Sequence, residues 1–174
     1  MSDPEIEVRV AGPDDVELAE AAERLIETVV DQADIARRSE ATLRAKIESG
    51  QAAIALKGGE LIGFGYFSAW QGGQFVSHSG LVVRPDFQGH GLGHRLKQCL
   101  FEASRRQYPD AAIISLTTSP AVEAMNRALG FERVPLEELT TDPEFWKGCE
   151  TCRNYAEVQR QGKKCCCFGM ILRP

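Results

Sequence analysis

The sequence predicts an α/β or α+β domain with a mixed sheet, and two patterns carry that prediction. Three consecutive strand-like segments joined by glycine-containing turns indicate an antiparallel meander. Alternating strand-like and helical segments follow the meander along the chain. The length of 174 residues suits one domain with a full core, so residues 1–174 are expected to form a single domain.

The beginning of the chain predicts one strand and two helices. Residues 6–10 alternate between apolar and charged side chains, as a short strand does. The turn at residues 12–15 supplies a helix N-cap, and apolar residues then recur at helical spacing. A loop is expected at residues 31–38, followed by a second, more polar helix at residues 40–49.

Glycines divide the centre of the sequence into the three strands of the meander. Gly58-Gly59 has the composition of a two-residue hairpin turn, and residues 71–74 form a second glycine-containing turn. The expected strands are residues 52–57, 61–70 and 75–83. After a helix that opens near Gly91, the expected elements are a strand at 111–117, a helix at 121–129, and strands at 131–134 and 168–172.

Composition and charge exclude several classes of partner. The formal net charge of −5 leaves no broad basic surface, so nucleic acid is not an expected partner. The N-terminus is acidic where a signal peptide would be basic and then apolar, and no apolar run reaches membrane-spanning length. We therefore expect a cytoplasmic protein with no membrane partner. The sequence leaves open whether the protein forms a homodimer.

A glycine-rich run, residues 88–93, lies between the third meander strand and the following helix. A helix N-terminus presents unpaired N–H groups and a positive dipole end, and glycines allow an anion to approach the backbone. The run therefore predicts a pyrophosphate site, with a tight turn that binds no ligand as the alternative. It lacks the Gly-Lys-Ser/Thr of a P-loop, and His94 replaces the third glycine of a dinucleotide fingerprint.

The pattern Gln-x-x-Gly-x-Gly after a hydrophobic strand resembles the acetyl-CoA signature of the GNAT superfamily of N-acetyltransferases. The resemblance covers nearly the whole chain, because residues 8–14 resemble the family's first strand, residues 81–93 its cofactor motif and residues 126–131 its second motif. It implies a mixed, mostly antiparallel central sheet flanked by helices. It also implies transfer of an acyl group from acetyl-CoA, or another acyl-CoA, to the amine of a small molecule.

The resemblance implies which residues bind the donor. The strand backbone would hydrogen-bond the pantetheine arm, and the amides of the glycine-rich run would hold the pyrophosphate. The residues concerned are Leu81, Val82 and Val83 on the strand, and Gln88, Gly89, His90, Gly91, Leu92 and Gly93 in the run. Lys97 or Arg95 would contact the adenosine phosphates, with a solvated helix face as the favoured alternative.

In the family the amine attacks the thioester directly, often helped by a glutamate base and a tyrosine acid. The corresponding positions here hold Ser77 and Asn126, so neither expected residue is present. His78 is the nearest titratable substitute for the base, and a packed structural histidine is its alternative. Ser77 and His78 point to opposite faces of a strand, so the alternation leaves open which one faces the cleft. Tyr66 and Tyr155 are other candidate acids, and a water relayed through Ser77 is another route.

Because both usual catalytic residues are missing, a non-catalytic acyl-CoA sensor remains an alternative to the enzyme. The segment at residues 35–39 lies where the family forms its acceptor wall. Arg37 and Arg38 in this segment predict recognition of a carboxylate, with two solvated arginines as the alternative. Together with residues 79–81, 116–118 and the tail, this segment resembles a bacterial subgroup associated with arginine biosynthesis. That subgroup is thought to acylate glutamate, and acetyl and succinyl donors both stay open.

A cysteine-rich segment, residues 145–174, ends the chain. Six cysteines without an export signal indicate reduced thiols or a metal site, and five of the six lie in this segment. Four thiolates suffice for tetrahedral zinc, and the candidates are Cys149, Cys152, Cys165 and Cys167. On a final strand, Cys165 and Cys167 would share one face. Packed free thiols, redox chemistry and a zinc-stapled interaction protein are the alternatives.

Overall fold

The computed structural model describes residues 5–30 and 35–174, and the described residues form one seven-stranded sheet. The strands are β1 (Ile6–Val10), β2 (Ala52–Lys57), β3 (Glu60–Trp70), β4 (Phe75–Val83), β5 (Ala112–Thr117), β6 (Glu132–Val134) and β7 (Phe168–Leu172). Their order in the sheet is β1-β2-β3-β4-β5-β7-β6. Only β4 and β5 pair in parallel, and every other neighbouring pair is antiparallel. The predicted mixed, mostly antiparallel sheet is confirmed.

Helices flank this sheet. They are α1 (Ala19–Val29), α2 (Glu40–Glu48), α3 (Leu92–Gln107), α4 (Pro120–Ala128), α5 (Pro143–Lys147) and α6 (Tyr155–Arg160). The first predicted helix opens with a 3-10 helix, Pro13–Leu18, because Asp15 accepts from Gly12 N at 2.8 Å and ties the turn. Within the described residues, no helix combines the length and the apolar character that a membrane crossing requires.

Two apolar clusters cover the two faces of the sheet. On one face, α1 and α2 contribute Ile26, Leu43 and Ile47. On the other face, α3 contributes Leu96 and Leu100. Because the central strands are covered on both sides, polar side chains on β4 are buried and must find partners inside the protein.

The sequence did not predict two features of the connecting segments. The helices α5 and α6 are too short to leave a clear periodic pattern. The predicted last strand, residues 168–172, is present as β7 with the same bounds. The expectation that Cys165 and Cys167 share one face of this strand is wrong, because both lie before it. The reason is the length of its partner, since Phe168 already pairs with Thr117 at the end of β5. Of the predicted loop, residues 31–34 lie outside the described residues and residues 35–38 form no helix or strand.

Candidate active site

The parallel strands β4 and β5 pair over only three residues and then separate. The last pair joins Ser77 to Ile114, although β4 continues to Val83 and β5 continues to Thr117. Beyond that pair, the facing edges leave backbone groups available to a ligand, because buried N–H and C=O groups need partners. A wedge-shaped cleft therefore opens inside an otherwise continuous sheet.

A β-bulge bends β4 where the wedge begins. Phe64 pairs with Val82 and Tyr66 pairs with Ser79, so two residues of β4, Gly80 and Leu81, oppose one residue of β3. Gly80 has a φ of 63°, in the left-handed region that favours glycine. A Cβ at Gly80 would lie 2.6 Å from Tyr66 Cε1, so a side chain at this position would clash with the Tyr66 ring.

The glycine-rich run forms the far end of the same cleft. Gly91, with a φ of 81°, is the N-cap of the 16-residue α3, and no side chain caps the helix. A Cβ added at Gly89 or at Gly91 would meet no atom within 4 Å, so the backbone is open on that side at both positions. Unpaired N–H groups at the positive end of a long helix form a cradle for an anion.

The first cleft, named the donor cleft after the predicted donor-binding residues, has a volume of about 640 Å³ and lies between residues 79–83 of β4, the glycine-rich run and residues 115–119. It is lined by eight of the nine predicted donor-binding residues. These are Leu81, Val82, Val83, Gln88, Gly89, Gly91, Leu92 and Gly93. His90 is exposed and does not line the cleft.

Lys97 also lines the donor cleft, and it does not lie on the solvated helix face that the sequence favoured. Its side chain is 3% exposed, with Nζ 5.1 Å from the centre of the Phe131 ring. Burial lowers the pKa of Lys97 to about 7. Lys97 lies at helical spacing with Gly93, Leu100 and Ser104, on one face of α3. This pattern could have predicted that Lys97 faces the protein interior. Arg95 stays exposed, and its Nη2 donates to Ile6 O at 3.4 Å.

His78 points toward α3. Its Nε2 lies 2.9 Å from Ser104 Oγ, and Ser104 Oγ itself donates to Leu100 O at 2.6 Å. Nε2 is therefore the donor to Ser104, which leaves Nδ1 with a lone pair and no partner among the described residues. Burial, together with the positive charges of Lys97 and Arg105, places the pKa of His78 well below its ordinary value. The imidazole is neutral at physiological pH.

Ser77 and Asn126 occupy different surroundings. Ser77 is 3% exposed, accepts from Trp70 Nε1 at 2.8 Å, and lines a second cleft on the α1–α2 side. Asn126 is fully buried, and its Nδ2 donates to Met170 Sδ at 3.6 Å. Asn126 lines neither cleft, and its Oδ1 finds no partner among the described residues. Ser77 is thus the one of these two that faces a cleft.

The second cleft has a volume of about 770 Å³ and is named the acceptor cleft because it contains both predicted acceptor-binding arginines. Arg37 Nε donates to both carboxylate oxygens of Glu27, each at 3.1 Å, in a half-exposed ion pair. Arg38 Nη1 donates to Gly148 O and Thr151 Oγ1, each at 3.2 Å, across the cleft wall. The two arginines therefore differ in role, with Arg38 turned toward the cysteine-rich segment.

Tyr66 lies in the floor of the acceptor cleft. It is 4% exposed, and burial raises its pKa, while the neighbouring Arg38 and Ser79 act in the opposite direction. The hydroxyl is protonated at neutral pH and can donate a hydrogen bond or a proton. Tyr155, the other candidate acid, begins α6 and lines neither cleft.

Cysteines form part of the acceptor-cleft wall, which includes Cys149, Cys152 and Cys167. Cys149 Sγ lies 4.0 Å from Cys165 Sγ. Hydrogen bonds from Cys149 and Cys167 lower the pKa of the Cys165 thiol. The predicted gathering of the tail cysteines is therefore present, although its bends and short helices were not predicted.

The two clefts meet at the bulge. Five residues line both of them, namely Ile35, His78, Ser79, Gly80 and Leu116. A ligand along β4 and a ligand in the acceptor cleft would therefore approach each other at Gly80. The geometry can bring two reactants into contact while each keeps its own binding surface.

The model of the Acetyltransferase (GNAT) family matches residues 19–131. No curated protein matches the sequence. Among solved structures, N-acetylglutamate synthase from Neisseria gonorrhoeae, complexed with coenzyme A and N-acetyl-glutamate, aligns with a TM-score of 0.67 at 19% identity over 99% of this chain. This chain spans 36% of the length of that synthase.

Two other solved structures match over nearly their whole length. Rv2747 from Mycobacterium tuberculosis, in complex with CoA, gives a TM-score of 0.67 at 18% identity, over 97% of this chain and 99% of that one. A putative acetyltransferase, yncA from Salmonella typhimurium, with acetyl-CoA, gives 0.65 at 19% identity, over 97% and 94%. At identities this low, the structural similarity shows the fold alone. The family model covers more than half of the chain and includes the bulge, the wedge and the glycine cradle, so the chain belongs to the GNAT family of N-acetyltransferases and the predicted enzyme class is confirmed.

Proposed function

We propose that this protein transfers an acetyl group from acetyl-CoA to the α-amine of a small acidic amino acid, with L-glutamate as the acceptor. One observation carries the proposal: two clefts meet at the Gly80 bulge. The first ends in the glycine cradle, and the second has Arg38 in its wall. The arrangement separates an anionic donor from an anionic acceptor and joins them only where the reaction occurs.

The donor fits the first cleft by shape and by charge. The pyrophosphate of acetyl-CoA would lie over the amides of residues 89–93, where Gly89 and Gly91 leave open space. The pantetheine arm would lie along residues 81–83 and hydrogen-bond the part of β4 that does not pair with β5. The thioester would then lie at the bulge, next to the acceptor cleft.

The reaction needs no covalent enzyme intermediate. The neutral amine forms a bond to the thioester carbon, and the C–S bond then breaks to release CoA thiolate. Backbone N–H groups of β4 beyond Gly80 would stabilise the oxyanion of the tetrahedral adduct. Holding both reactants at the junction supplies much of the acceleration, because a bimolecular step becomes effectively unimolecular.

Two side chains would move the protons. Tyr66 Oη, protonated beside Ser79, would donate to the leaving thiolate. His78 Nδ1, with a lone pair and no partner among the described residues, would accept the proton from the adduct nitrogen. A base with a low pKa suits this step, because the ammonium of a tetrahedral adduct is more acidic than a free ammonium. Exchange with solvent would then restore both groups.

The acceptor assignment rests on the cationic wall. Arg38 is held at Gly148 and Thr151 with its guanidinium in the cleft wall, and Lys46 lines the same cleft. A guanidinium reads carboxylates bidentately, so this wall suits an amino acid with an acidic side chain. The Neisseria synthase, which was solved with N-acetyl-glutamate, supports the choice of glutamate.

Release of free CoA thiol from acetyl-CoA tests the proposal across a panel of amines. We expect turnover with L-glutamate, weaker turnover with glutamine, and little with a neutral amine or a polyamine. Succinyl-CoA in a parallel assay determines the acyl preference. Turnover that is fastest with polyamines or protein lysines would contradict the acceptor assignment while leaving acyl transfer intact.

A further inference from the structure

Five cysteines from two separate segments come together beside the acceptor cleft. The first segment is a tight turn in which Cys152 N donates to Cys149 O at 3.0 Å. The second is the bend before β7, where the sulfur atoms of Cys165, Cys166 and Cys167 lie within 4.8 Å of one another. The 4.0 Å contact between Cys149 Sγ and Cys165 Sγ joins the two segments.

The sulfur contact that joins the two segments fits a tetrahedral metal. With Zn–S bonds of about 2.3 Å, two ligands of a tetrahedral site lie about 3.8 Å apart. The contact between Cys149 Sγ and Cys165 Sγ is close to this value, and it is about twice the length of a disulfide bond. All five thiols are free in the structure. This one contact between the two segments therefore lies at a separation that suits zinc and not a disulfide.

The surroundings also suit a thiolate site. Cys167 N donates to Cys165 Sγ at 3.4 Å, and a backbone N–H directed at sulfur favours the thiolate. The positive charge of Arg38 acts on Cys149 and would partly offset the net charge of about −2 that four thiolates and one Zn²⁺ carry. Cys166 is the exposed member, and Asn154 Nδ2 donates to its sulfur at 3.3 Å.

We propose that Cys149, Cys152, Cys165 and Cys167 bind one structural Zn²⁺, which holds the acceptor-cleft wall in place. The consequence for Arg38 follows from its partners. Its Nη1 donates to Gly148 O and to Thr151 Oγ1, and both groups lie in the turn that carries the first two ligands. A Cβ at Gly148 would lie 2.8 Å from Arg38 Nη2, so the turn packs directly on the guanidinium. This second part rests on the proposed function, whereas the metal site does not.

Metal analysis tests the site on the full chain, purified under reducing conditions without a metal-affinity resin. We expect one zinc per chain in the wild type and in Cys99→Ser, since Cys99 lies on α3 outside the cluster. Cys166→Ser should also keep the metal, whereas Cys149→Ser and Cys167→Ser should lose it. Substoichiometric zinc in the wild type, or full zinc in Cys149→Ser, would overturn the proposal.

A reversible experiment covers the case in which a ligand variant fails to fold. Wild-type protein stripped with a chelator should melt at a lower temperature and recover when Zn²⁺ is restored. Substitution with Co²⁺ should give the thiolate charge-transfer band and the visible bands of a tetrahedral cobalt site. Unchanged melting after chelation, or an octahedral cobalt spectrum, would contradict the site. In the stripped protein, a raised KM for glutamate with unchanged affinity for acetyl-CoA would show that the metal acts through Arg38. An unchanged KM would contradict the effect on Arg38 and leave the metal site standing.

Discussion

On the donor side of the Gly80 bulge, the proposed contacts to the ligand are mostly backbone amides of β4 and of the glycine-rich run. On the acceptor side they are side chains from several separate segments, including Arg38, Tyr66 and Cys149. Backbone recognition depends on a local conformation that glycines allow, so a short stretch of sequence determines it. Side-chain recognition depends on tertiary packing, and a short stretch does not determine it. The difference predicts that the two sides respond differently to substitution.

The largest expected effect lies on the donor side, at Gly91→Glu. A side chain at a φ of 81° costs about 1–3 kcal/mol in strain, and the carboxylate would repel the pyrophosphate. We expect the affinity for acetyl-CoA, measured by calorimetry, to fall by about 100-fold or more. Gly59→Glu is the matched control, because Gly59 has the same φ of 81° in the β2–β3 turn and lines neither cleft. Normal binding by folded Gly91→Glu would contradict the cradle.

The next effect separates the two arginines on the acceptor side. Arg38→Ala should lower kcat/KM for glutamate by about 2–5 kcal/mol in transition-state terms, because the substrate carboxylate loses its partner. Arg37→Ala should cost less than about 1 kcal/mol, since Arg37 is in a half-exposed ion pair with Glu27. Steady-state kinetics with glutamate and a neutral amine measure both. Equal losses in the two variants would contradict this difference and show that both arginines bind the substrate carboxylate.

Tyr66→Phe should affect the chemical step alone. Without the hydroxyl, the leaving thiolate has no proton donor, and kcat should fall by about 100-fold. The affinity for acetyl-CoA should not change, because Tyr66 does not line the donor cleft. Tyr108→Phe, which lies outside both clefts, is the control. A raised KM with normal kcat would assign Tyr66 to binding and not to proton transfer.

Lys97 is an exception to the backbone character of the donor side, and pH measures its effect. Its pKa lies at about 7 in the folded chain against an ordinary 10.5, so the unfolded chain binds more protons between those values. The free energy of unfolding should therefore rise with pH across that window, by at most about 1.4 kcal/mol per pH unit. Denaturant titrations of Lys97→Met should show a flatter dependence and higher stability at pH 7. An unchanged slope would show that Lys97 is not buried as a neutral amine.

Sequence patterns predicted the secondary structure on the donor side. The turn before α3 was visible because glycine permits positive φ at Gly89 and Gly91, and apolar periodicity located the flanking strand and helix. The wedge between β4 and β5 was not predicted from the residues. It depends on where parallel pairing stops, at Ser77, and on the bulge that follows. Neither feature has a local signal beyond Gly80.

The acceptor side and the proton-transfer groups were harder to predict. Strand alternation placed Ser77 and His78 on opposite faces, but only the packing of α3 shows that His78 contacts Ser104. Arg37 and Arg38 could not be distinguished in the sequence, because their partners, Glu27 and Gly148, lie 10 and 110 residues away in the chain. Residues that meet only in the folded structure leave no periodic pattern to read.

The central claim is that the two clefts meet at the bulge so that donor and acceptor react directly. A bisubstrate compound, with the sulfur of CoA joined through an acetyl linker to the nitrogen of glutamate, tests this claim by its affinity. We expect it to bind at least about 100-fold more tightly than acetyl-CoA, because it occupies both surfaces at once. The same compound built on a neutral amine should lose most of that gain. Equal affinities for the glutamate compound, the neutral compound and acetyl-CoA would contradict the account.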